Sequence, residues 1–427
     1  MTLPTSLKSV WLPWLALTLA CLLPVRGLGA ERVRTDINPA LLYYQAFALY
    51  PELPEEDRQH LFVTEWRNRP LDTRFDKLIV KYDNSFKLIR HAALARVSCD
   101  WGVDLSEGPD ALLPGLAKAK LAAQATRLRV MWHLNNHRQA AAVEELVAAF
   151  HLGRNTSRDG VLISALVQFA IENILLSVVA ENFYQFSPDS LQQLMAGFDH
   201  SPARGTIQAS MNAEKTSFRD WLVARIREFQ HETPDDDAAV MAKARALLGR
   251  TLSDSDKPDL SGADRMIASA NGTSAGLLAR LQEIDPVYAE ATTLLGLPFE
   301  QFQSGVHGFE EKLATNTNPF VKSFFPAVTK SRGKEFAVMT KLEMVRAAIA
   351  YRLGGEEAFA KIQNPCDSGP FPLERFSFED VDRGIILRSN VRWTGYDEVL
   401  IFVEKPGVPF QVHGKNAGQP LPKEPAK

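Results

Sequence analysis

The chain lacks an excess of charge of either sign. Its 427 residues include 48 Lys plus Arg and 51 Asp plus Glu, which leaves a formal net charge of -3 at pH 7. No basic stripe interrupts this balance, whereas a nucleic-acid-binding surface concentrates positive charge against the phosphates. We therefore predict no nucleic-acid partner. The length and the 45% hydrophobic content are those of an ordinary globular protein of more than one domain.

Cysteine is scarce, with only Cys21, Cys99 and Cys366. Cys21 lies inside an N-terminal apolar run, and a lipoprotein signal at this residue is disfavoured because Leu22-Leu23 continues the run. If the chain is exported, oxidation permits a disulfide between Cys99 and Cys366, which stabilises by at most about 4 to 5 kcal/mol in the chain-entropy model. Two free buried thiols are the alternative, because sequence does not show whether the cysteines lie within bridging distance.

The first thirty residues have the composition of an export signal. Lys8 precedes an apolar run over 10–25, and Gly27-Leu28-Gly29-Ala30 offers small residues for cleavage before Glu31. We predict a secretory signal peptide over 1–29 and export to the periplasm, the cell envelope or the extracellular space. An uncleaved anchor is the alternative, since the run is near the lower limit for spanning a bilayer. This segment is the only predicted contact with a membrane.

Helix signals dominate the rest of the chain. Asn38 and Pro39 are typical of a helix start, and a second helical stretch covers 75–98 with Leu94 on its apolar side. From residue 110 the chain is rich in Ala and Leu, which predicts two consecutive helical hairpins with helices over 111–131, 139–152, 161–186 and 188–198. The third of these helices is apolar on nearly every side, so we expect it to lie centrally in the packing.

The remaining segments predict further helices and a small sheet. Helical patterns cover 207–230, 234–248, 275–284 and 336–353. Short β-branched or aromatic runs at 375–379, 384–389 and 399–404, with a turn at Asp382-Arg383-Gly384, predict antiparallel strands. The predicted fold is mainly α, a bundle of helical hairpins that resembles tetratricopeptide or α-solenoid repeats, with an antiparallel β module. The expected divisions are a signal peptide at 1–29, an N-terminal helical segment at 31–109, the bundle at 110–250, a linker at 251–262, further helices at 263–355, the β module at 356–414 and a disordered tail at 415–427.

Several short motifs together resemble a family of uncharacterised exported helical proteins of bacteria. They are Cys99-Asp100-Trp101-Gly102, Gly108-Pro109, Glu214-Lys215, the segment 347–352, Asn364-Pro365, Gly369-Pro370-Phe371 and Leu387-Arg388-Ser389. The resemblance covers roughly half of the chain. It implies an exported helical protein, and it carries no activity that could be transferred to this chain. Asn364 stands where the family pattern leads us to expect aspartate, which weakens any metal role for that turn.

One stretch matches the nucleophile elbow of esterases. Gly272-Thr273-Ser274-Ala275-Gly276 has the G-x-S-x-G pattern, and Asp380 or Asp382 followed by His413 completes the chain order of a catalytic triad. The residues before the motif read as helix or loop, although an elbow follows a buried strand. We therefore predict that Thr273 or Ser274 caps a helix. A serine nucleophile at Ser274 is the alternative.

Two further groups of residues have the composition of a functional site. His133 and His137 have the spacing of a zinc helix, with Glu144 and Glu145 as further ligands, but Asn135-Asn136 predicts a turn that would separate the imidazoles. Glu172 belongs to a polar row with Ser164 and Gln168. Such a row is either an exposed stripe of the helix or, if it faces a cleft, a carboxylate with a raised pKa.

For each candidate group of catalytic residues, a structural role explains the pattern better than catalysis does. The sequence indicates no cofactor. The sequence therefore favours a non-catalytic interaction or scaffolding protein of the bacterial cell envelope, which binds a protein partner through a helical-repeat surface. An envelope hydrolase that uses Ser274 or a histidine-bound metal is the competing hypothesis.

The predicted signal peptide leads to a direct test. Protein purified from the envelope fraction of a bacterial host is expected to begin at Ala30, because Gly27 and Gly29 supply the small residues that signal peptidase requires. Intact-mass measurement with N-terminal sequencing checks this. A chain that retains 1–29 would favour the uncleaved anchor.

Overall fold

The fold is mainly helical and closes with a three-stranded antiparallel sheet, as the sequence predicts. The structure, a computed structural model, describes residues 34–62, 71, 73–251, 260–389 and 397–421. The predicted signal peptide and most of the predicted linker at 251–262 lie outside these residues.

The helices of the first half are short at first and become long from Gly115 onward. Their bounds are α1 (Pro39–Ala48), α2 (Glu55–Phe62), α3 (Thr73–Lys81), α4 (Asp83–Ala93), α5 (Gly115–Asn135), α6 (Gln139–Thr156), α7 (Leu162–Glu181) and α8 (Pro188–Asp199). Helices α5 to α8 are the two predicted hairpins. Pro39 and Pro188 each stand at a first helical position, behind the side-chain caps Asn38 and Ser187.

The second half continues with helices and ends in the sheet. The helices are α9 (Ile207–Glu214), a π-helical turn (Lys215–Asp220), α10 (Trp221–Glu232), α11 (Asp237–Thr251), α12 (Leu260–Ser269), α13 (Ser274–Gln282), α14 (Asp285–Leu295), α15 (Phe299–Thr315), α16 (Pro319–Phe324) and α17 (Pro326–Phe359). The strands are β1 (Leu373–Phe378), β2 (Val381–Ser389) and β3 (Glu398–Val403), in the order β1-β2-β3. Gly355 has a φ of 66° and kinks α17, two residues after the helical end that the sequence predicts at residue 353.

Helix α7 lies at the centre of the packing, as its apolar composition predicts. It contacts α5, α6, α9, α17 and β3, and most of its side chains are buried. Among the described residues it is the one helix long and apolar enough to cross a membrane by length and composition. Its burial inside the protein accounts for that composition equally well, because a helix surrounded by other elements is apolar all round.

The predicted helix over 75–98 is two helices that end earlier. The chain turns at Tyr82, whose ring is buried against Tyr50 and Phe86. Helix α4 then ends at Ala93, and Leu94 caps it with 56% of its surface exposed. Helix α4 thus ends five residues before the predicted end at residue 98, and Leu94 is not buried with the other apolar residues of the pattern.

The hairpin between β1 and β2 turns earlier than the sequence predicts. Phe378 pairs with Val381, so the two-residue loop is Glu379-Asp380, and both residues have positive φ, as in a type I′ turn. The turn expected at 382–384 is instead part of β2. There Gly384 approaches β3 so closely that a Cβ atom would lie 1.9 Å from the carbonyl oxygen of Phe402.

The first part of the predicted disordered tail at 415–427 is packed. The amide of Gly418 donates to the carbonyl of Gln411 at 2.7 Å, and the amide of Gln411 donates to the carbonyl of Gln419 at 2.9 Å. Leu421 is buried. The chain is therefore ordered to residue 421, because these backbone bonds and the burial of Leu421 offset the entropy of ordering the segment. Residues 422–427 lie outside the described part of the chain.

A close contact at Gly108 gives a stability prediction. Gly108 has a φ of 68°, and a Cβ atom would lie 2.4 Å from the indole of Trp221. We expect Gly108→Ala to destabilise the protein by about 2 to 5 kcal/mol, from backbone strain and overpacking together. Gly102 is the matched control, because its φ is 65° and a Cβ atom there meets nothing within 4 Å. Gly102→Ala should cost only about 1 to 2 kcal/mol. Chemical denaturation measures both, and equal losses would contradict the proposed clash.

Candidate functional site

Ser274 lies at a helix start between two helices and not after a strand. Thr273 caps α13, with its Oγ1 accepting from the amide of Gly276 at 3.1 Å, so the predicted capping is confirmed and Thr273 performs it. The buried Ser274 hydroxyl accepts from the side-chain amide of Gln230 at 2.7 Å. This partner is an amide donor and not an imidazole base, which a serine nucleophile requires.

The two proposed acids and the histidine of a triad belong to the C-terminal module. Asp380 is in the β1–β2 turn, and Asp382 pairs with Arg375 and Lys405. His413 forms a backbone bridge to Leu400 at the sheet edge. Asp380 and Asp382 therefore belong to the β1–β2 hairpin and His413 pairs with β3. The Ser274 hydroxyl is instead hydrogen-bonded to Gln230 of α10.

The two histidines of the proposed zinc motif lie in different environments. His133 is buried near the end of α5, and its Nε2 lies 3.4 Å from Oε1 of Glu145. His137 is exposed, with a φ of 57°, in the turn before α6. A left-handed residue outside the helix does not share a helix face with His133. Among the described residues, no group of three or more His, Cys, Asp or Glu side chains is arranged to hold a metal ion.

The two cysteines are free, so the disulfide considered above is wrong for this structure and the alternative of buried thiols is confirmed. Cys99 lies in the segment between α4 and α5, two residues before Trp101. Cys366 lies beside α17, where its sulfur is 3.4 Å from the hydroxyl of Thr340. Burial raises the pKa of the Cys99 thiol to about 12 and that of Cys366 to about 11. Both thiols are therefore protonated at neutral pH and poor nucleophiles.

Glu172 is fully buried and forms the centre of an ionic cluster. Its Oε1 lies 2.6 Å from Nε of Arg154, and its Oε2 accepts from Arg204 at 2.5 Å. Gln168 donates to the same carboxylate at 2.7 Å and accepts from the amide of Gly205. Burial lowers the pKa of Arg154 to about 10, although Glu172 opposes this shift. The polar row is therefore not an exposed stripe, because both arginines neutralise the carboxylate inside the protein.

A second buried cluster joins the start of α4 to the hairpin α5–α6. Arg129 donates to the buried Glu145 carboxylate through Nε and Nη2, and through Nη1 to Asp83. Burial alone would raise the pKa of Glu145, but hydrogen bonds from His133 and Arg129 hold it below its ordinary value. Glu145 therefore acts as a structural anion and is not an available metal ligand.

A groove of about 370 Å³ runs along α6, between α4 and α8. We call it the α6 groove and define it by its lining residues, Arg90, Ala93, Leu94, Glu144, Val147, Ala148, His151, Gln193, Ala196, Gly197 and His200. Its lining is mostly small or apolar. Burial lowers the pKa of the His151 imidazole and so favours its neutral form.

Close approach of α8 to α6 shapes this groove. A Cβ atom on Gly197 would lie 2.3 Å from Val147, so only glycine allows the helices to come this near. Arg90 pairs with Glu144 and Glu145 at one side. Exposed Leu94 stands beside the opening. Local sequence patterns do not identify this groove, because they place Leu94 on the apolar side of a longer helix.

Residues of the family-like motifs hold the fold together. Trp101 donates to the carbonyl of Asn155 in α6 at 2.6 Å, and Glu214 accepts from the first amide of α7 at 2.9 Å. Asn364 donates to the hydroxyl of Ser389 at 3.0 Å, so it joins the turn after α17 to β2. These contacts give the motif residues structural roles.

Comparison of the chain with protein-family models, with curated proteins and with solved structures gives no match. The resemblance to exported helical proteins of bacteria therefore stays a prediction.

The Glu172 cluster gives a second stability prediction. Glu172→Gln removes the charge that compensates Arg154 and Arg204, and we expect a loss of about 3 to 5 kcal/mol in the free energy of unfolding. Glu357→Gln is the control, since the pair between Glu357 and Lys361 is solvent-exposed and its loss should cost less than about 1 kcal/mol. Urea denaturation of both variants checks this, and a small effect at Glu172 would mean that the cluster is not structural.

Proposed function

We propose that this protein is an exported, non-catalytic interaction protein of the bacterial cell envelope, which holds an apolar helical segment of a protein partner in the α6 groove. The observation that carries the proposal is the groove itself, with exposed Leu94 beside the opening. Export rests on the composition of residues 1–29. The repeat-like surface is the pair of hairpins α5–α6 and α7–α8, whose helices α6 and α8 form the floor and one wall.

The dimensions of the groove favour a short helix as the occupant. Its floor extends along α6 from Glu144 to His151, which is about 10 Å at the rise of an α-helix. Two turns of a partner helix cover this length and present apolar side chains at i, i+3 or i+4, and i+7. Exposed apolar surface in a concave site is typical of such docking.

The polar groups of the groove favour binding over catalysis. Arg90 is already paired with Glu144 and Glu145, so little uncompensated charge faces the opening. The imidazole of His151 lies in the floor, and its burial favours the uncharged form. A partner that is apolar along one face and uncharged there fits this lining, because burying an unpaired charge would cost several kcal/mol.

Site-specific photocrosslinking in the envelope tests the docking surface. Gln193 and Gln192 are adjacent exposed residues of α8, but only Gln193 lines the groove. A photoreactive phenylalanine at position 193 should give a discrete adduct with one protein, whereas the same residue at position 192 should not. Equal adducts from both positions would contradict the proposal.

Substitution at the opening provides the matched variants. Leu94→Lys should reduce the adduct from position 193 about tenfold or more, because a buried leucine contributes about 1.5 to 3 kcal/mol. Leu112→Lys is the control, since Leu112 is 84% exposed and does not line the groove. Both variants should fold, as the side chains are on the surface. An adduct that Leu94→Lys leaves unchanged would place the partner elsewhere.

A further inference from the structure

A second cavity lies where the end of α5, the turn after α7 and the loop after β3 meet. It has a volume of about 190 Å³. Tyr184, Phe410, Val412 and Leu421 contribute to its wall, and Arg383 of β2 is the one cation among the described residues that line it. A largely apolar lining with a few placed polar groups is typical of sites for small molecules.

The guanidinium of Arg383 is buried without an acidic partner. Only 5% of Arg383 is exposed. Its Nε donates to the carbonyl of Lys405 and its Nη1 to the carbonyl of Val408, both at 3.1 Å, so this side chain holds the loop after β3. Among the described residues Arg383 forms no ion pair, and its neighbour Asp382 pairs instead with Arg375 and Lys405.

The other terminal nitrogen of this guanidinium, Nη2, is open to the cavity. It donates to no described residue, and it does not belong to the fully buried atoms that lack a partner. A Cβ atom on Gly407, which also lines the cavity, would lie 2.7 Å from Nη1 and 3.1 Å from Nη2. The end of the guanidinium is therefore part of the cavity wall. An arginine has more N–H donors than the two that these loop carbonyls use, so Nη2 has donors left for a ligand.

Charge favours a singly charged anion as that ligand. A buried cation without a counter-charge is unfavourable, and the two loop carbonyls offset only part of this cost because they carry no net charge. Glu181 also lines the cavity, where it pairs with Arg127 at 3.3 Å. Its negative charge opposes a doubly charged anion such as hydrogen phosphate. A carboxylate matches one guanidinium in charge and in hydrogen-bonding geometry.

The size and lining of the cavity favour a compact ring. An apolar cavity of about 150 Å³ can bind benzene, so a cavity of about 190 Å³ has room for one such ring and a carboxylate group. The rings of Phe410 and Tyr184 offer edge or offset contacts, which aromatic ligands prefer.

We propose that this cavity binds a small aromatic monocarboxylate. The carboxylate of the ligand accepts from Nη2 of Arg383, and its ring packs against Phe410 and Leu421. The cavity shares no lining residue with the α6 groove, so this site is separate from the proposed docking surface.

Calorimetric titration of the purified protein with benzoate, benzamide and inorganic phosphate tests the ligand class. Benzoate is expected to bind saturably at one site. Benzamide, which has nearly the same shape without the charge, should bind about tenfold more weakly or worse, because it loses a charge-assisted hydrogen bond. Phosphate should be weaker than benzoate as well. Absence of saturable benzoate binding, or equal affinity for benzamide or phosphate, would overturn the proposal.

Variants of the lining locate the site. Arg383→Gln should weaken benzoate about tenfold or more and remove the preference for benzoate over benzamide. Asn135 and Asn136 are adjacent exposed residues at the end of α5, but only Asn135 lines the cavity. Asn135→Trp should therefore obstruct the opening and weaken benzoate severalfold, whereas Asn136→Trp is the matched control and should leave its affinity unchanged.

The rim variants keep the test valid if Arg383→Gln fails to fold, because both substitutions are on the surface. Circular dichroism checks that each variant retains its helices. Benzoate binding that Asn135→Trp leaves unchanged, or that both tryptophan variants weaken equally, would contradict the assignment. Because the photocrosslinking experiment concerns the α6 groove, its result is independent of these titrations.

Discussion

The burial of one carboxylate, Glu172, in the central apolar helix constrains much of the structure. Helix α7 is surrounded by other elements, so an ionised side chain there must find its counter-charges inside the protein. Arg154 comes from α6 and Arg204 from the segment before α9, which sets both segments against α7. The crowding extends to Gly205, where a Cβ atom would lie 2.3 Å from the hydroxyl oxygen of Ser157. The Glu172 carboxylate therefore links α7 to α6 through Arg154 and to the segment before α9 through Arg204.

Other buried ion pairs join elements in the same way. Arg129 holds Glu145 with several hydrogen bonds, and the Glu335 carboxylate pairs with Arg332 and accepts from the first amide of α9 at 3.1 Å. Such pairs lie where α5 meets α6 and where α17 meets α9. The pair of Lys341 and Glu398 likewise joins α17 to β3.

The α6 groove belongs to the same part of the bundle as the Glu172 cluster. Helices α6 and α7 pack directly against each other, and α6 supplies both Arg154 of the cluster and the floor of the groove. The lining of the groove is mostly small or apolar, which fits the face of the proposed partner helix. The elbow-like stretch around Ser274 does not line this groove, and the Ser274 hydroxyl accepts from Gln230.

The amino-acid sequence by itself determined the helical class, the two hairpins, the central place of α7, a hydroxyl cap at Thr273 or Ser274 and the small antiparallel sheet. These features follow from local propensity, capping chemistry and hydrophobic periodicity, which act within a few residues. Only the tertiary structure decided which partners meet. In the sequence Glu172 is one residue of a polar row, and the folded chain brings Arg154 and Arg204 to its carboxylate. Leu94 matches an apolar pattern, but α4 ends before it. Cys99 and Cys366 are separate thiols in the structure. Contacts between residues far apart in the chain depend on packing geometry, and local patterns carry no information about that geometry.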